Sequence, residues 1–117
     1  MAGITTHVLD TSRGKPAAGV PIVLESQAPS GEHREIGRGV TDTDGRLRTL
    51  VPEGVVLRAG VYRLTFDTAA YFAALGGAGS DAFYPSVSVS FVVRAPGDHY
   101  HVPLLLSPFG YSTYRGS

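Results

Sequence analysis

The sequence contains no cysteine. The chain therefore forms no disulfide bond and offers no thiolate ligand to a metal ion. It also lacks an excess of charge, because 10 Lys and Arg residues balance 10 Asp and Glu residues. A basic surface for nucleic acid or for an anionic membrane is not expected to be its main feature. A balanced charge also leaves self-association unopposed.

Long apolar runs are absent as well. No stretch approaches the roughly 20 apolar residues that a membrane helix needs. The beginning, MAGITTHVLD, has no basic region followed by an apolar one, so we expect no signal peptide and a cytoplasmic location. A chain of 117 residues can bury about two thirds of its unfolded surface. We therefore expect a single domain over residues 1–117.

Turn-forming residues are frequent, with 15 Gly and 8 Pro. They separate short runs rich in Val, Ile, Thr, Tyr and Phe, which is typical of an all-β sandwich or barrel. One short helix is predicted over 69–75, with Asp67 or Thr68 as its N-cap and Gly76 and Gly77 at its end. The predicted strands, about eight in number, cover 4–10, 20–26, 34–41, 46–51, 61–68, 86–93, 99–107 and 111–116.

The strand HYHVPLLLS, residues 99–107, carries two histidines on one face. Side chains alternate along a strand, so His99 and His101 project together while Tyr100 and the following even-numbered residues face the core. Two histidines on an otherwise apolar strand need partners or water. Three interpretations stay open: a solvent-facing pair, which this strand alone favours; a zinc site completed by His7; and acid–base catalysis.

His7 and Arg46 are further candidates. His7 lies inside the first strand, and taken alone it is more typical of an ordinary strand residue than of a catalyst. Arg46 follows the turn DTDG, residues 42–45, and its guanidinium could hold a planar anion through two parallel hydrogen bonds. An arginine leaving a hairpin is more often simply solvated. The turn lacks the later ligands of a calcium loop, so we interpret it as turn chemistry.

Four segments together resemble the 5-hydroxyisourate hydrolases, the transthyretin-related enzymes of urate breakdown. The segments are HVLDTSRGKPAAGVPIVLE (7–25), TDTDGRL (41–47), HYHVPLLLSP (99–108) and YRGS (114–117). The resemblance extends from about residue 4 to residue 117, and YRGS is its most specific part. It implies a transthyretin-like sandwich of two antiparallel sheets with one short helix. It also implies a homotetramer, built as a dimer of dimers, with active sites in the channel between the dimers.

The resemblance also implies a set of site residues. The catalytic set falls on His7, Arg46, His101 and Ser117. The residues implied to shape the substrate pocket are His99, Tyr114, Arg115 and Gly116.

The implied reaction is hydrolysis of 5-hydroxyisourate to 2-oxo-4-hydroxy-4-carboxy-5-ureidoimidazoline, without a metal or another cofactor. Under this hypothesis His101 and His7 orient and deprotonate water, and Arg46 offsets the charge that develops on the substrate. The same fold also serves transthyretin, a hormone carrier. A carrier needs an open apolar channel, whereas polar residues are expected here, so the resemblance favours the enzyme.

Overall fold

A computed structural model describes residues 3–76 and 82–117 of the chain. Nearly all of the regular structure is β-strand, with one short helix, α1, over Thr68–Leu75. The strands are β1 (Gly3–Asp10), β2 (Lys15–Pro16), β3 (Pro21–Gln27), β4 (His33–Val40), β5 (Arg46–Leu47), β6 (Gly60–Phe66), β7 (Val87–Val93), β8 (His99–Ser107) and β9 (Gly110–Thr113). The expected all-β class with a single short helix is confirmed.

The strands form two sheets. One has the order β2-β1-β8-β9 with β5 also paired to β1, and the other has the order β4-β3-β6-β7. Strands β1 and β8 run parallel, from the pair Gly3 and His99 to the pair Asp10 and Leu106. The resemblance implies two antiparallel sheets, and this one pair differs. Side-chain alternation fixes a strand's face but not its direction. The parallel pair sets the first strand beside the HYH strand.

The core lies between the two sheets and follows the alternation of the strands. Tyr62, Leu64 and Phe66 of β6 are buried, as are Tyr100 and Val102 of β8. Burial of large apolar side chains is the main source of stability in such a sandwich. The opposite face of β1 and β8 is consequently free to carry polar residues, and the histidines lie there.

Most strand boundaries differ from prediction by one or two residues, and the differences that matter most are in three places. The strand predicted over 46–51 is only Arg46–Leu47, and the one predicted over 111–116 ends at Thr113. The two-residue strand Lys15–Pro16 was missed, because a proline and a glycine-rich stretch indicate a turn. In all three places, pairing with β1 or β8 decides where the strand forms.

Helix α1 is capped as the sequence indicates. The side chain of Asp67 accepts a hydrogen bond from the backbone N–H of Ala70, which satisfies one free donor of the first turn. At the other end Gly76 has a φ of 69°, a left-handed conformation that favours glycine, and its N–H donates to carbonyls of the last turn. The predicted role of Gly77 lies outside the described residues.

Candidate active site

Three strands bring the candidate residues together on the outer face of one sheet. In the pairing register, Thr5 of β1 lies beside His101 of β8. His7 of β1 lies beside Arg46 of β5. Paired residues on neighbouring strands project to the same face. His7, Arg46 and His101 therefore share a face that points away from the core.

A cavity of about 220 Å³ opens on this face. Its lining residues are Thr5, Thr6, Arg46, Arg48, His99, His101 and Ser117. Four predicted site residues, Arg46, His99, His101 and Ser117, are thus brought together in one place. The lining is polar and cationic, and it is suited to a small, oxygen-rich, planar molecule.

His101 is the half-buried histidine at the centre of this arrangement. Its Nδ1 lies 2.8 Å from the hydroxyl of Thr5. Burial lowers the pKa of His101 below its ordinary value of 6.5, and the positive charge of Arg46 lowers it further, with smaller contributions from His7, His99 and Arg48. The ring is therefore neutral near pH 7, which is the state in which a histidine can accept a proton.

His7 is oriented differently. Its Nε2 lies 2.9 Å from the backbone carbonyl oxygen of Asp44, in the turn that precedes β5. A carbonyl oxygen only accepts hydrogen bonds, so Nε2 of His7 must carry the proton and donate it. In the neutral ring only Nδ1 of His7 then has a lone pair. His7 is adjacent to the cavity through its pairing with Arg46, but it is not among the lining residues.

The DTDG turn holds Arg46 in place. The carboxylate of Asp42 accepts hydrogen bonds from the backbone N–H groups of Asp44 and Arg46, at 2.9 and 3.0 Å. The bond from Arg46 is the main reason why the pKa of Asp42 is lowered. Gly45 has a φ of 75°, and an added Cβ would meet the carbonyl oxygen of Val8 at 2.4 Å. The tight turn that the sequence predicts is present, and it packs closely against β1.

Sequence reasoning missed three residues that line the cavity, Thr5, Thr6 and Arg48. Arg48 lines it together with Arg46, and Thr5 lies 2.8 Å from ring nitrogens of both His99 and His101. Side-chain alternation offered a signal for Arg48 and Thr5, since residues two apart along an extended chain share a face. Arg48 follows Arg46 by two positions, and Thr5 precedes His7 by two.

The YRGS segment divides between two places. The N–H of Gly116 donates to the carbonyl oxygen of His101 at 2.8 Å, and Ser117 lines the histidine cavity. The guanidinium carbon of Arg115 instead lies 4.6 Å from the centre of the Tyr100 ring. Arg115 and the exposed Tyr114 line a separate cavity of about 300 Å³ beside β7. Within one chain, then, Tyr114 and Arg115 are not brought to the histidine cavity.

A zinc site on this outer face would need at least three ligand side chains close together. Across residues 3–76 and 82–117, no three His, Cys, Asp or Glu side chains are grouped so that they could hold a metal ion. The open zinc interpretation, with His7, His99 and His101 as ligands, therefore finds no support in the geometry.

No helix in the described part of the chain is both long and apolar enough to cross a membrane.

The fold and the cavity together define a transthyretin-like β-sandwich with histidine, arginine and serine side chains on the outer face of one sheet. The family profile described as HIUase/Transthyretin matches residues 4–116. The chain belongs to this family.

Several proteins are similar to this chain. The 5-hydroxyisourate hydrolase of Halalkalibacterium halodurans is 47% identical over 116 residues, covering 97% of this chain and 97% of the relative. The Klebsiella pneumoniae 5-hydroxyisourate hydrolase structure has a TM-score of 0.81 and 38% identity, covering 99% of this chain and 100% of that one. Sea bream transthyretin in complex with thyroxine has a TM-score of 0.87 and 36% identity, covering 97% of this chain and 94% of that one.

Proposed function

We propose that the protein hydrolyses 5-hydroxyisourate to 2-oxo-4-hydroxy-4-carboxy-5-ureidoimidazoline in urate degradation. The observation that carries this proposal is the cavity in which His101, with a lowered pKa, lies beside Arg46 and Ser117. A neutral histidine and a guanidinium are the groups that hydrolysis of a cyclic, amide-like bond needs. Full-length similarity to named 5-hydroxyisourate hydrolases supports the same activity.

In the proposed reaction His101 is the general base. A water molecule attacks a ring carbonyl carbon, its oxygen forms the new C–O bond, and its proton passes to His101. The ring C–N bond then breaks, and the proton returns to the departing nitrogen. His101 is favoured over His7 as the base, because His101 lines the cavity and His7 does not. His7 has the role of orienting the site beside Arg46.

Arg46 is proposed to hold the substrate and to stabilise the reaction. Negative charge develops on the carbonyl oxygen as water attacks, and a fixed guanidinium offsets that charge. Arg48 adds a second cation to the same cavity. Ser117 and His99, which also line it, would contact the polar edge of the ring and fix its orientation. Positioning of this kind lowers the barrier by removing the entropy cost of bringing the reactants together.

We propose that the reaction needs neither a metal nor another cofactor. A neutral imidazole and a guanidinium together supply the base and the electrostatic stabilisation. Dialysis of the protein against a chelator should leave the turnover number unchanged. Loss of activity that zinc restores would contradict this part of the proposal.

The runner-up function is that of a hormone carrier. Sea bream transthyretin, with a similar fold, is described in complex with thyroxine. An apolar ligand of that kind favours a pocket lined mainly by apolar side chains. Here two arginines and two histidines line the cavity, which supports the enzyme. Titration with thyroxine discriminates the two, since tight binding without hydrolysis would favour the carrier.

We further propose that residues 1–117 form a single domain. We also propose that the protein is a homotetramer, built as a dimer of dimers with the active sites between the dimers. In the described chain β7 and β9 each end a sheet, and an open strand edge pairs readily with another chain. Phe109, in the turn between β8 and β9, is 72% exposed, and Tyr111 of β9 is 44% exposed. A partner that covers them would remove apolar surface from water. Native mass spectrometry should detect the tetramer, and a monomer at assay concentration would contradict it.

We also propose, from the sequence alone, that the protein is located in the cytoplasm. Cell fractionation with an antibody against the protein would test it. Recovery in the soluble cytoplasmic fraction is the expected result, and recovery from another compartment would contradict it.

The test of the activity is the decay of freshly generated 5-hydroxyisourate, followed by ultraviolet absorbance with and without the protein. A variant that lacks Ser117 is measured beside the full chain. We expect the full chain to accelerate the decay and the shortened chain to lose most of that acceleration. A rate equal to the spontaneous one for the full chain would reject the hydrolase.

A further inference from the structure

The hydroxyl of Thr5 lies between two histidine rings. Its Oγ1 is 2.8 Å from Nε2 of His99 and 2.8 Å from Nδ1 of His101. Thr5 is 8% exposed, so water has little access to its side chain. His99, by contrast, is exposed at the start of β8. The parallel pairing of β1 with β8 produces this arrangement, because it sets Thr5 directly beside His101.

A hydroxyl has a single proton to donate, so the two contacts are not equivalent. If Thr5 donates to Nδ1 of His101, the neutral His101 must carry its own proton on Nε2. That nitrogen then cannot act as a base. If Nδ1 of His101 instead donates to Thr5, then Nε2 has the lone pair, and the hydroxyl proton is free to go to Nε2 of His99.

The charges of the cavity favour the second arrangement. Arg46 and Arg48 line the cavity beside His101, and a guanidinium has donors but no acceptor. A proton on Nε2 of His101 would be repelled by these nearby positive charges, whereas a lone pair there would be stabilised by them. His99 can adopt the tautomer that accepts the hydroxyl proton at little cost, since its ring is exposed to water.

We propose that Thr5 is a positioning residue that holds His101 in the tautomer with a proton on Nδ1 and a lone pair on Nε2. Its hydroxyl accepts from His101 and donates to His99, so that the three groups form one chain of hydrogen bonds. This proposal rests on the proposed function, in which His101 is the general base. In this role Thr5 acts through the ring of His101 and not on the substrate.

The test compares Thr5→Val, which keeps the shape of the side chain but removes the hydroxyl, with Thr5→Ser, which keeps the hydroxyl. The tautomer of His101 is measured directly by two-bond ¹H–¹⁵N correlation spectra of the protein labelled at histidine. We expect a protonated Nδ1 in the wild type and in Thr5→Ser, and a shift towards a protonated Nε2 in Thr5→Val. A protonated Nε2 in the wild type, or no change in Thr5→Val, would overturn the proposal.

Turnover gives the second readout. We expect kcat of Thr5→Val to fall by about 10- to 100-fold with little change in KM, and Thr5→Ser to recover most of it. A matched control is Thr11→Val. Thr11 directly follows β1, and its hydroxyl donates to the backbone carbonyl of Leu106 on β8, outside the cavity. Equal kcat in Thr5→Val and wild type would also overturn the proposal. If no form accelerates 5-hydroxyisourate decay, the proposed function fails, while the spectra still decide the tautomer.

Discussion

Gly116 pairs with His101 at a distance that leaves no room for a side chain. Its N–H donates to the carbonyl oxygen of His101 at 2.8 Å. A Cβ added to Gly116 would lie 2.6 Å from Cδ2 of the His101 ring. The backbone of the YRGS segment and the proposed base are therefore fixed relative to each other. The same bridge brings Ser117 to the cavity.

This contact makes Gly116→Ala a sharp test of the site. The added methyl group must displace either the His101 ring or the terminal segment, because real Cβ contacts are not this short. We expect kcat/KM to fall by about 10-fold or more, since a displacement of about 1 Å can cost 10²-fold in rate. The measurement is the steady-state decay of 5-hydroxyisourate, together with a thermal melt that confirms folding.

Gly97→Ala is the matched control for this change. Gly97 lies in the turn before β8, and a Cβ added there meets nothing within 4 Å. The control should keep wild-type kcat/KM. If Gly116→Ala were as active as Gly97→Ala, the close approach to His101 would not matter for catalysis.

The lowered pKa of His101 predicts the pH dependence of the reaction. Only the neutral ring can accept a proton, so kcat/KM should fall as the pH drops through the pKa of His101. That pKa lies below the ordinary value of 6.5, so the midpoint of the acid limb should lie below 6.5. Between 6.5 and the lower pKa of folded His101, the unfolded chain binds a proton that the folded chain does not bind. The free energy of unfolding should therefore decrease as the pH falls through this interval.

Arg48→Gln tests one electrostatic contribution to this shift, the smallest of its causes. Removal of a nearby positive charge makes protonation of His101 easier, so the midpoint of kcat/KM should move up, towards 6.5. The matched control is Arg34→Gln, an exposed arginine on β4 in the other sheet. Rate profiles between about pH 5 and pH 8 measure both variants. A midpoint that moves down in Arg48→Gln would contradict the electrostatic contribution of Arg48.

The sequence predicts much of the fold because strand and turn signals are local. The alternation over 61–68 puts Tyr62, Leu64 and Phe66 on one face, and in the structure all three are buried. The alternation over 99–107 correctly predicts that His99 and His101 share a face. The parallel direction of β1 and β8 could not be predicted in this way, since it depends on contacts between segments far apart in the chain.

The candidate site is also predictable in part, because the family resemblance names several of its residues. The resemblance to the hydrolases marks Arg46, His101 and Ser117, and the three lie at one cavity. Thr5 carries no motif of its own, and its importance becomes visible only when the pairing register sets it between two rings. The position of Arg115 on the Tyr100 ring is equally a product of packing. The catalytic roles of these residues stay predictions.

The contact between Arg115 and Tyr100 predicts a structural role for this arginine. A guanidinium over an aromatic face contributes about 0.5–1 kcal/mol at an exposed site. Arg115→Gln should lower the free energy of unfolding by about that amount. It should also lower kcat/KM several-fold, because the segment that carries Ser117 is held less firmly. Urea unfolding and steady-state kinetics measure the two effects.

Tyr100 provides the control for Arg115. Tyr100→Phe keeps the ring but removes the hydroxyl, which bonds to the backbone of Ala95. Arg115→Gln should therefore remain destabilising in the Tyr100→Phe background, and its effect should vanish in a Tyr100→Leu background. An equal effect of Arg115→Gln in all three backgrounds would mean that the ring contact does not stabilise the segment.

Asp10 is a fully buried carboxylate at the end of β1. Its Oδ1 accepts hydrogen bonds from Ser12 and from the backbone N–H of Arg13, and its Oδ2 accepts from the hydroxyl of Tyr71 at 2.7 Å. Burial and the neighbouring carboxylate raise the pKa of Tyr71 above its ordinary value of 10.0. The contribution of this contact to stability is therefore present at neutral pH and is lost as the pH rises above 10.0.

Tyr71→Phe removes the donor and leaves Oδ2 of Asp10 buried without it. The cost of such a group is about 1–3 kcal/mol, so the free energy of unfolding should fall by that amount at neutral pH. Urea unfolding at fixed protein concentration measures it, because assembly would otherwise alter the apparent stability. The control is Tyr84→Phe, whose partly exposed ring contacts other aromatic rings. Asp10 lies at the far end of β1 from Thr5, so kcat should be unchanged in both variants. A loss of kcat in Tyr71→Phe without a loss of stability would show that this buried pair belongs to the catalytic machinery and not to the core.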